Sequence, residues 1–133
     1  MENYLLDSDI CIFFLRGAYG LKEKILQVGI ENCYVSEITI AELSFGAAKS
    51  ANYDKHILEV EGVEQLFGVV PIYECIRLFA AEKVYLNKLG QTIPDFDLLI
   101  GVTAVKYNMV LVTNNEKHLR RIRGIKIENW LRG

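Results

Sequence analysis

Apolar residues along this chain fall into short blocks that alternate between strand-like runs and helical spacing. Tyr4-Leu5-Leu6 is too short for a helix and reads as a buried strand that stops at an acid, Asp7. Ser8 and Asp9, both good helix caps, precede an apolar segment that continues to Leu15 and reads as a first helix. Gly17 and Gly20 mark a turn. Leu21, Ile25 and Val28 then recur at helical spacing with Lys22, Glu23 and Lys24 facing outward, and Gly29 ends that helix. Cys33-Tyr34-Val35 predicts a second strand, after which Ser36 caps a helix carrying Ile40, Leu43, Phe45 and Ala47. Residues 52–67 place Tyr53, Ile57, Val60, Val63 and Phe67 on one helical face.

The same alternation continues to the end. Val69-Val70-Pro71-Ile72 predicts a third strand, with Pro71 marking its end or a sheet edge. Residues 75–89 predict a helix whose apolar positions include Ile76, Phe79, Ala80, Val84 and Leu86, closed by Gly90. Pro94 opens a helix from Asp95 to Tyr107 that is apolar nearly all round after Asp97, as suits a helix packed on a sheet or at a subunit contact. Asn108 stops it. Residues 109–113 predict a buried strand, 116–122 a short basic helix and 125–130 a last strand. Strand and helix in turn, without repeats or linkers, predict an α/β fold. A central, mainly parallel sheet lies between two helical layers, in one domain spanning residues 1–133.

Composition narrows the class. The chain is 51% hydrophobic and 24% charged, which suits a globular domain with its own core. A net charge of -2 argues against a protein that coats nucleic acid by bulk charge, and leaves room for a local basic face. Cys11, Cys33 and Cys75 form no CxxC pair and lie in apolar contexts, so they read as buried free thiols of a reducing compartment. No segment resembles a secretory signal, and no apolar run reaches the roughly 18 residues of a membrane span. The expectation is a cytoplasmic protein with no membrane association.

Three acids stand where their surroundings disfavour them. Asp7 ends a buried strand, Glu42 lies within ITIAELSFGAA, and Asp97 lies within IPDFDLLIGVTA. Each has a plain structural reading: a helix cap, a solvated helix residue, and an acid favoured by a helix N-terminus. Taken together they point to chemistry. In an open α/β sheet, ligands bind beyond the carboxyl ends of the strands. Helices beside the first strand can bring Glu42 and Asp97 to the same mouth as Asp7. Two bare carboxylates about 4 Å apart repel by roughly 4 kcal/mol at an effective dielectric near 20. Three therefore need a proton or a cation. Oxygen-only ligands select a hard ion, Mg²⁺ or Mn²⁺, and such an ion suits hydrolysis of a phosphodiester.

YLLDSDICIFFL, SEITIAELSFGAAKS, IPDFDLLIGVTA, LVTNNEKHLRRI and GIKIENW, in this order over nearly the whole chain, resemble PIN-domain proteins, and among them the VapC-type toxins of bacterial toxin–antitoxin pairs. The resemblance implies a three-layer α/β/α fold and a Mg²⁺- or Mn²⁺-dependent endoribonuclease acting on structured RNA such as tRNA or rRNA. It also implies a homodimer and a VapB-like antitoxin that holds it inactive. The antitoxin tail would lie in an apolar groove, which Phe13 and Phe14 either line or leave for the core. By the same resemblance Asp7 and Asp97 are the principal metal ligands, and Glu42 ligates or orients the nucleophile.

The chain departs from the pattern at one place. Many PIN domains carry a fourth acid after the strand that ends here in Val112-Thr113. This chain has Asn114-Asn115, so Asn115 is the nearest replacement, with Glu116 or Asp95 as compensating acids. Asp9 reads as a cap or a supporting acid. Ser8 either orients Asp7 through its hydroxyl or is a turn residue, and Thr113 has the same two readings. Lys117, Arg120, Arg121 and Arg123 either meet RNA phosphates or form a solvated face. His56 and His118 read as surface or structural, and the aromatic residues as core rather than stacking platforms. Two other functions remain open on sequence. One is a haloacid-dehalogenase-type phosphotransferase with Asp7 as nucleophile and Asp9 as acid. The other is a non-catalytic PIN-fold binding module.

Overall fold

The computed structural model describes residues 2–131. Along them run β1 (Tyr4–Leu6), α1 (Ser8–Leu15), α2 (Leu21–Val28), β2 (Cys33–Ser36), α3 (Glu37–Lys49), α4 (Tyr53–Leu66), β3 (Gly68–Val70), α5 (Ile76–Lys88), α6 (Asp95–Lys106), β4 (Val110–Val112), α7 (Glu116–Leu119) and β5 (Lys126–Glu128). The strands form one sheet in the order β3-β2-β1-β4-β5, and every pairing is parallel. From β1 the chain winds outward through β2 to β3, then crosses back to β4 and on to β5. The winding reverses between β1 and β4, so a crevice opens beyond their carboxyl ends.

Alternate strand side chains feed opposite faces. Leu5 and Leu111 join Leu86, Leu98, Ile100 and Leu119 beneath α5, α6 and α7. Leu6, Val35 and Val112 join Ile10, Ile25, Leu43 and Val63 beneath α1, α2, α3 and α4. The three-layer α/β/α arrangement follows from this split. The all-round apolar character of α6 has its expected cause, since residues Leu98 and Ile100 through Ala104 are buried. Gly101 permits the close seat of that helix, because a β-carbon there would collide with Ile122 Cδ1.

Several local expectations need correction. Asp7, not Ser8 or Asp9, is the N-cap of α1. β3 begins at Gly68 and ends before Pro71, at the sheet edge. A 3-10 turn over Tyr73–Cys75 precedes α5. The helix α5 keeps Phe79 and Leu86 inward as its apolar spacing predicts, but not the other expected positions. Ile76 and Val84 are exposed, while Glu82 is 3% exposed. Glu82 is matched there by a cation from a distant segment. Glu82 Oε1 accepts from Arg123 Nε at 2.6 Å and Oε2 from the Arg123 amide at 3.2 Å, and the guanidinium lies 3.8 Å from the Tyr85 ring centre. Arg123 is thereby committed to holding the chain after α7 against α5 and is withdrawn from the expected basic face. Phe45, placed on the core face by its spacing, is 65% exposed.

Cutting Arg123 back to Ala leaves the Glu82 carboxylate buried without its cation. Arg123→Ala is expected to lower unfolding stability by about 2 kcal/mol, less than for a fully buried pair because the guanidinium is half exposed. Glu82→Gln, which retains hydrogen-bonding oxygen, should lose less. Urea unfolding midpoints of the two variants check this, and an unchanged midpoint for Arg123→Ala would show that the pair anchors nothing.

Candidate active site at the sheet mouth

The crevice between β1 and β4 holds Asp7. Its amide continues the sheet by donating to the Val112 carbonyl at 2.9 Å, which fixes the backbone at the strand's end. The residue is only 6% exposed. Oδ1 accepts from the Ser8 amide at 2.8 Å, and Oδ2 accepts from the Thr113 hydroxyl at 2.7 Å. Thr113 is the residue after β4 and fully buried, and its hydroxyl oxygen also accepts from the Asn115 amide at 2.9 Å. The two strands flanking the switch point are thus tied to each other through one carboxylate.

Burial pushes the Asp7 carboxyl up to about 7, and the charge of Asp9 pushes the same way. The hydrogen bonds from Thr113 and Ser8 oppose the shift without cancelling it, and the charge of Asp97 adds to it. Burial also raises Asp9 and Asp97. The Asn114 and Ile10 amides oppose the rise at Asp9, where Asp97 adds to it, and His118 opposes the rise at Asp97. Asp7, Asp9 and Asp97 therefore share one electrostatic neighbourhood, although they come from β1, α1 and α6.

Glu42 reaches this neighbourhood from α3. Its Oε1 accepts from the Ser8 hydroxyl at 2.6 Å. Ser8 Oγ also lies 3.0 Å from Thr39 Oγ1. A hydroxyl has one proton to give, so with Ser8 donating to Glu42, the Thr39 hydroxyl donates to Ser8. This corrects the expected role of Ser8: its amide binds Asp7, but its hydroxyl orients Glu42, and Thr113 supplies the hydroxyl that orients Asp7. Asp9 is a supporting acid whose Oδ1 and Oδ2 accept from the Ile10 and Asn114 amides at 2.7 and 3.0 Å. Asn115 stands at the same mouth through its amide on Thr113, and Glu116 accepts from Asn129 and Arg120. Asp95 pairs with Lys83 at 2.8 Å. Sequence reading missed Asn129, whose amide bridges Asn114 and Glu116; a lone asparagine after a short strand carries no signal of that role.

Among the described residues, no three His, Cys, Asp or Glu side chains stand close enough to form a ready-made metal cage. The donors available are oxygen only. They suit a hard ion that binds through one or two carboxylates and retains waters, rather than one that requires an all-protein cage.

The family model of the PIN domain matches residues 4–125. The chain belongs to the PIN-domain family. Among its relatives, the protein of Salmonella typhimurium strain LT2 named tRNA(fMet)-specific endonuclease VapC is 28% identical over 98% of this chain and 99% of its own. Ribonuclease VapC1 of Haemophilus influenzae strain R2866 is 32% identical over 96% of this chain and 97% of its own. DNA-bound VapBC from Salmonella typhimurium has a chain that superposes with a TM-score of 0.91 at 28% identity, covering 98% of this chain and 99% of that one. The particular kinship is thus with the VapC ribonucleases.

The position of Asp7 sets a pH dependence. The metal-free folded protein holds a proton at Asp7 up to about pH 7, whereas an exposed aspartate ordinarily gives its proton up near 3.8. Between those values Asp7 binds a proton in the folded state and not in the unfolded chain, so its contribution to stability falls as pH rises from about 4 to about 7 and then levels. Asp7→Asn is expected to flatten that slope. Above pH 7 it should be the more stable protein by a few kcal/mol, since a tenfold change in proton affinity is worth about 1.4 kcal/mol. Thermal unfolding in chelator across pH 4–8 measures it, and a wild-type profile that rises through this window would contradict the assignment.

Proposed function

We propose that this protein is a Mg²⁺- or Mn²⁺-dependent endoribonuclease, the toxin of a VapBC-type pair, with Asp7, Glu42 and Asp97 as its catalytic acids. The observation that carries the reading is the buried Asp7 carboxylate at the switch point of the sheet, raised to about 7 with Asp97 adding its charge. A carboxylate so placed at a ligand mouth is stable in its charged form only with a cation beside it. Asp7 and Asp97 would hold that ion. When bound, it would supply charge stabilisation at the phosphoryl oxygens and a more acidic water.

The chain's own groups divide the remaining work. Thr113 and the Ser8 amide fix both oxygens of Asp7, so the ligand is oriented before any ion arrives. The Ser8 hydroxyl occupies Glu42 Oε1, which leaves Oε2 to accept a proton from the attacking water. Lys117 and Arg120, beside this mouth, would meet RNA phosphates. The neutral Asn115 replaces a fourth acid with a group that adds no charge, and so favours one tightly held ion over two.

Glu42, tied to Ser8 beside Asp7, has no role in the phosphotransferase reading and favours the nuclease one. The names of the relatives and of the VapBC complexes support an RNA substrate and a VapB-like antitoxin. Structured RNA such as tRNA or rRNA is the proposed substrate, and a homodimer in the cytoplasm the proposed setting. Among the described residues no helix is long and apolar enough to cross a membrane.

Purified protein should cleave RNA in Mg²⁺ or Mn²⁺ and stop in chelator. Asp7→Asn and Asp97→Asn are each expected to lose at least about 100-fold in kcat, and Ser8→Ala about 10- to 100-fold, as for loss of a group that orients a ligand or base. Undiminished cleavage by both Asp variants would remove these acids from the mechanism.

A further inference from the structure

Beyond the loop that follows β4 lies an open polar cavity of about 560 Å³. Its walls are Tyr19 from the α1–α2 turn, Asn114, Glu116, Lys117 and Arg120 around α7, and Asn129 and Leu131 after β5. It shares a wall with the acids: the Asn114 amide donates to Asp9 Oδ2 at 3.0 Å, and the preceding residue, Thr113, holds Asp7.

Tyr19 is out of place by ordinary folding criteria. Its φ is 60°, and the turn's other left-handed residues, at 69° and 63°, are Gly17 and Gly20. A side chain in that region costs on the order of 1 kcal/mol or more, and glycine avoids the cost. Core burial does not compensate, because Tyr19 is 58% exposed. Its ring packs edge-on with Phe13, centroids 5.0 Å apart and planes at 85°, which fixes its orientation. The turn therefore presents a positioned aromatic surface at the cavity, contrary to the expectation that the aromatic residues serve the core.

The rest of the lining has the complementary chemistry. Lys117 makes no ion pair among the described residues, and Arg120, its side chain 69% exposed, touches Glu116 at 3.3 Å and stays open to a phosphate. Asn129 donates to Asn114 Oδ1 and Glu116 Oε2, both at 3.1 Å, and accepts from the Leu131 amide at 2.9 Å, which stiffens the wall. Asn114 Nδ2 makes no hydrogen bond among the described residues and is left as a donor. Cations, an oriented ring and an amide in a space of this size suit one splayed-out nucleotide, and the depression is too small for a duplex.

We propose that this cavity receives one unpaired nucleotide adjoining the cleaved bond of the RNA, its base stacked on Tyr19 and its phosphate met by Lys117 and Arg120. The assignment rests on the ribonuclease reading and deepens it. Tyr19 is then a substrate-binding contact rather than a catalytic residue.

The test uses an RNA that the wild type cleaves in Mg²⁺, with single abasic sites scanned over three nucleotides on each side of the cut. At one position the abasic RNA should raise the wild-type KM about 10-fold with kcat unchanged, the size of a lost base–aromatic stack. Tyr19→Ala should raise KM by the same factor on intact RNA and be indifferent to that abasic site, and Tyr19→Phe should match the wild type. Tyr19→Gly relieves the backbone and should unfold no earlier than wild type while sharing the KM defect, which separates this role from a structural one. A parallel arm measures binding of labelled single-stranded RNA in chelator, where Tyr19→Ala should weaken binding by a similar factor. If the wild type cleaves nothing yet binding depends on Tyr19, the nuclease reading fails and the cavity assignment stands. Cleavage and binding unaffected by Tyr19→Ala would overturn the assignment. So would a free mononucleotide bound as tightly as the RNA, which would make the cavity a small-ligand site.

Discussion

One carboxylate buried at the end of β1 governs the architecture of the candidate site. Asp7 is desolvated by the sheet and helices around it, and two hydrogen bonds do not restore what water would give. The folded chain can accommodate it by holding a proton or by gathering a cation. Nearby Asp9 and Asp97 make the proton bind more tightly and, equally, make the mouth more attractive to a positive ion. The property that strains the metal-free fold is therefore the one that prepares a site.

Short polar side chains distribute this strain across the molecule. Thr113 joins β4 to β1 through Asp7, Ser8 joins α1 to α3 through Glu42, and Asp9 joins α1 to the loop after β4 through the Asn114 amide. None of these side chains is long, so each allows little play, and the acids are positioned by elements already packed on the sheet. On the other face, Glu82 and Arg123 hold the segment after α7 against α5, close behind the loop that lines the cavity. The site is thus assembled from the chain ends and the middle, and depends on the parallel sheet to bring them together.

Much of the fold is legible from spacing alone. The strands and the longer helices fall where apolar periodicity places them, within a residue or two at most ends. The exceptions share a cause. In α5 the buried Glu82 is matched by Arg123 across 41 residues of sequence, which no local pattern encodes. Phe45 reads as core yet lies outside, since periodicity cannot tell a buried apolar face from an exposed one. Thr113 orients Asp7, as one of its two readings has it, whereas the Ser8 hydroxyl turns to Glu42, because the direction of a hydroxyl depends on which neighbour the tertiary packing supplies.

The amino-acid sequence by itself determined the alternation of strand and helix, the placement of Asp7 at a strand end, and the presence of acids in apolar helices at Glu42 and Asp97. These follow from local rules of periodicity, capping and desolvation. Only the tertiary structure decided that the winding reverses beside β1, that Thr113 and Ser8 divide the two orienting tasks, and that Tyr19 faces a polar cavity from a glycine-like turn. Those outcomes depend on contacts between segments far apart in the chain, whose energies no single segment carries.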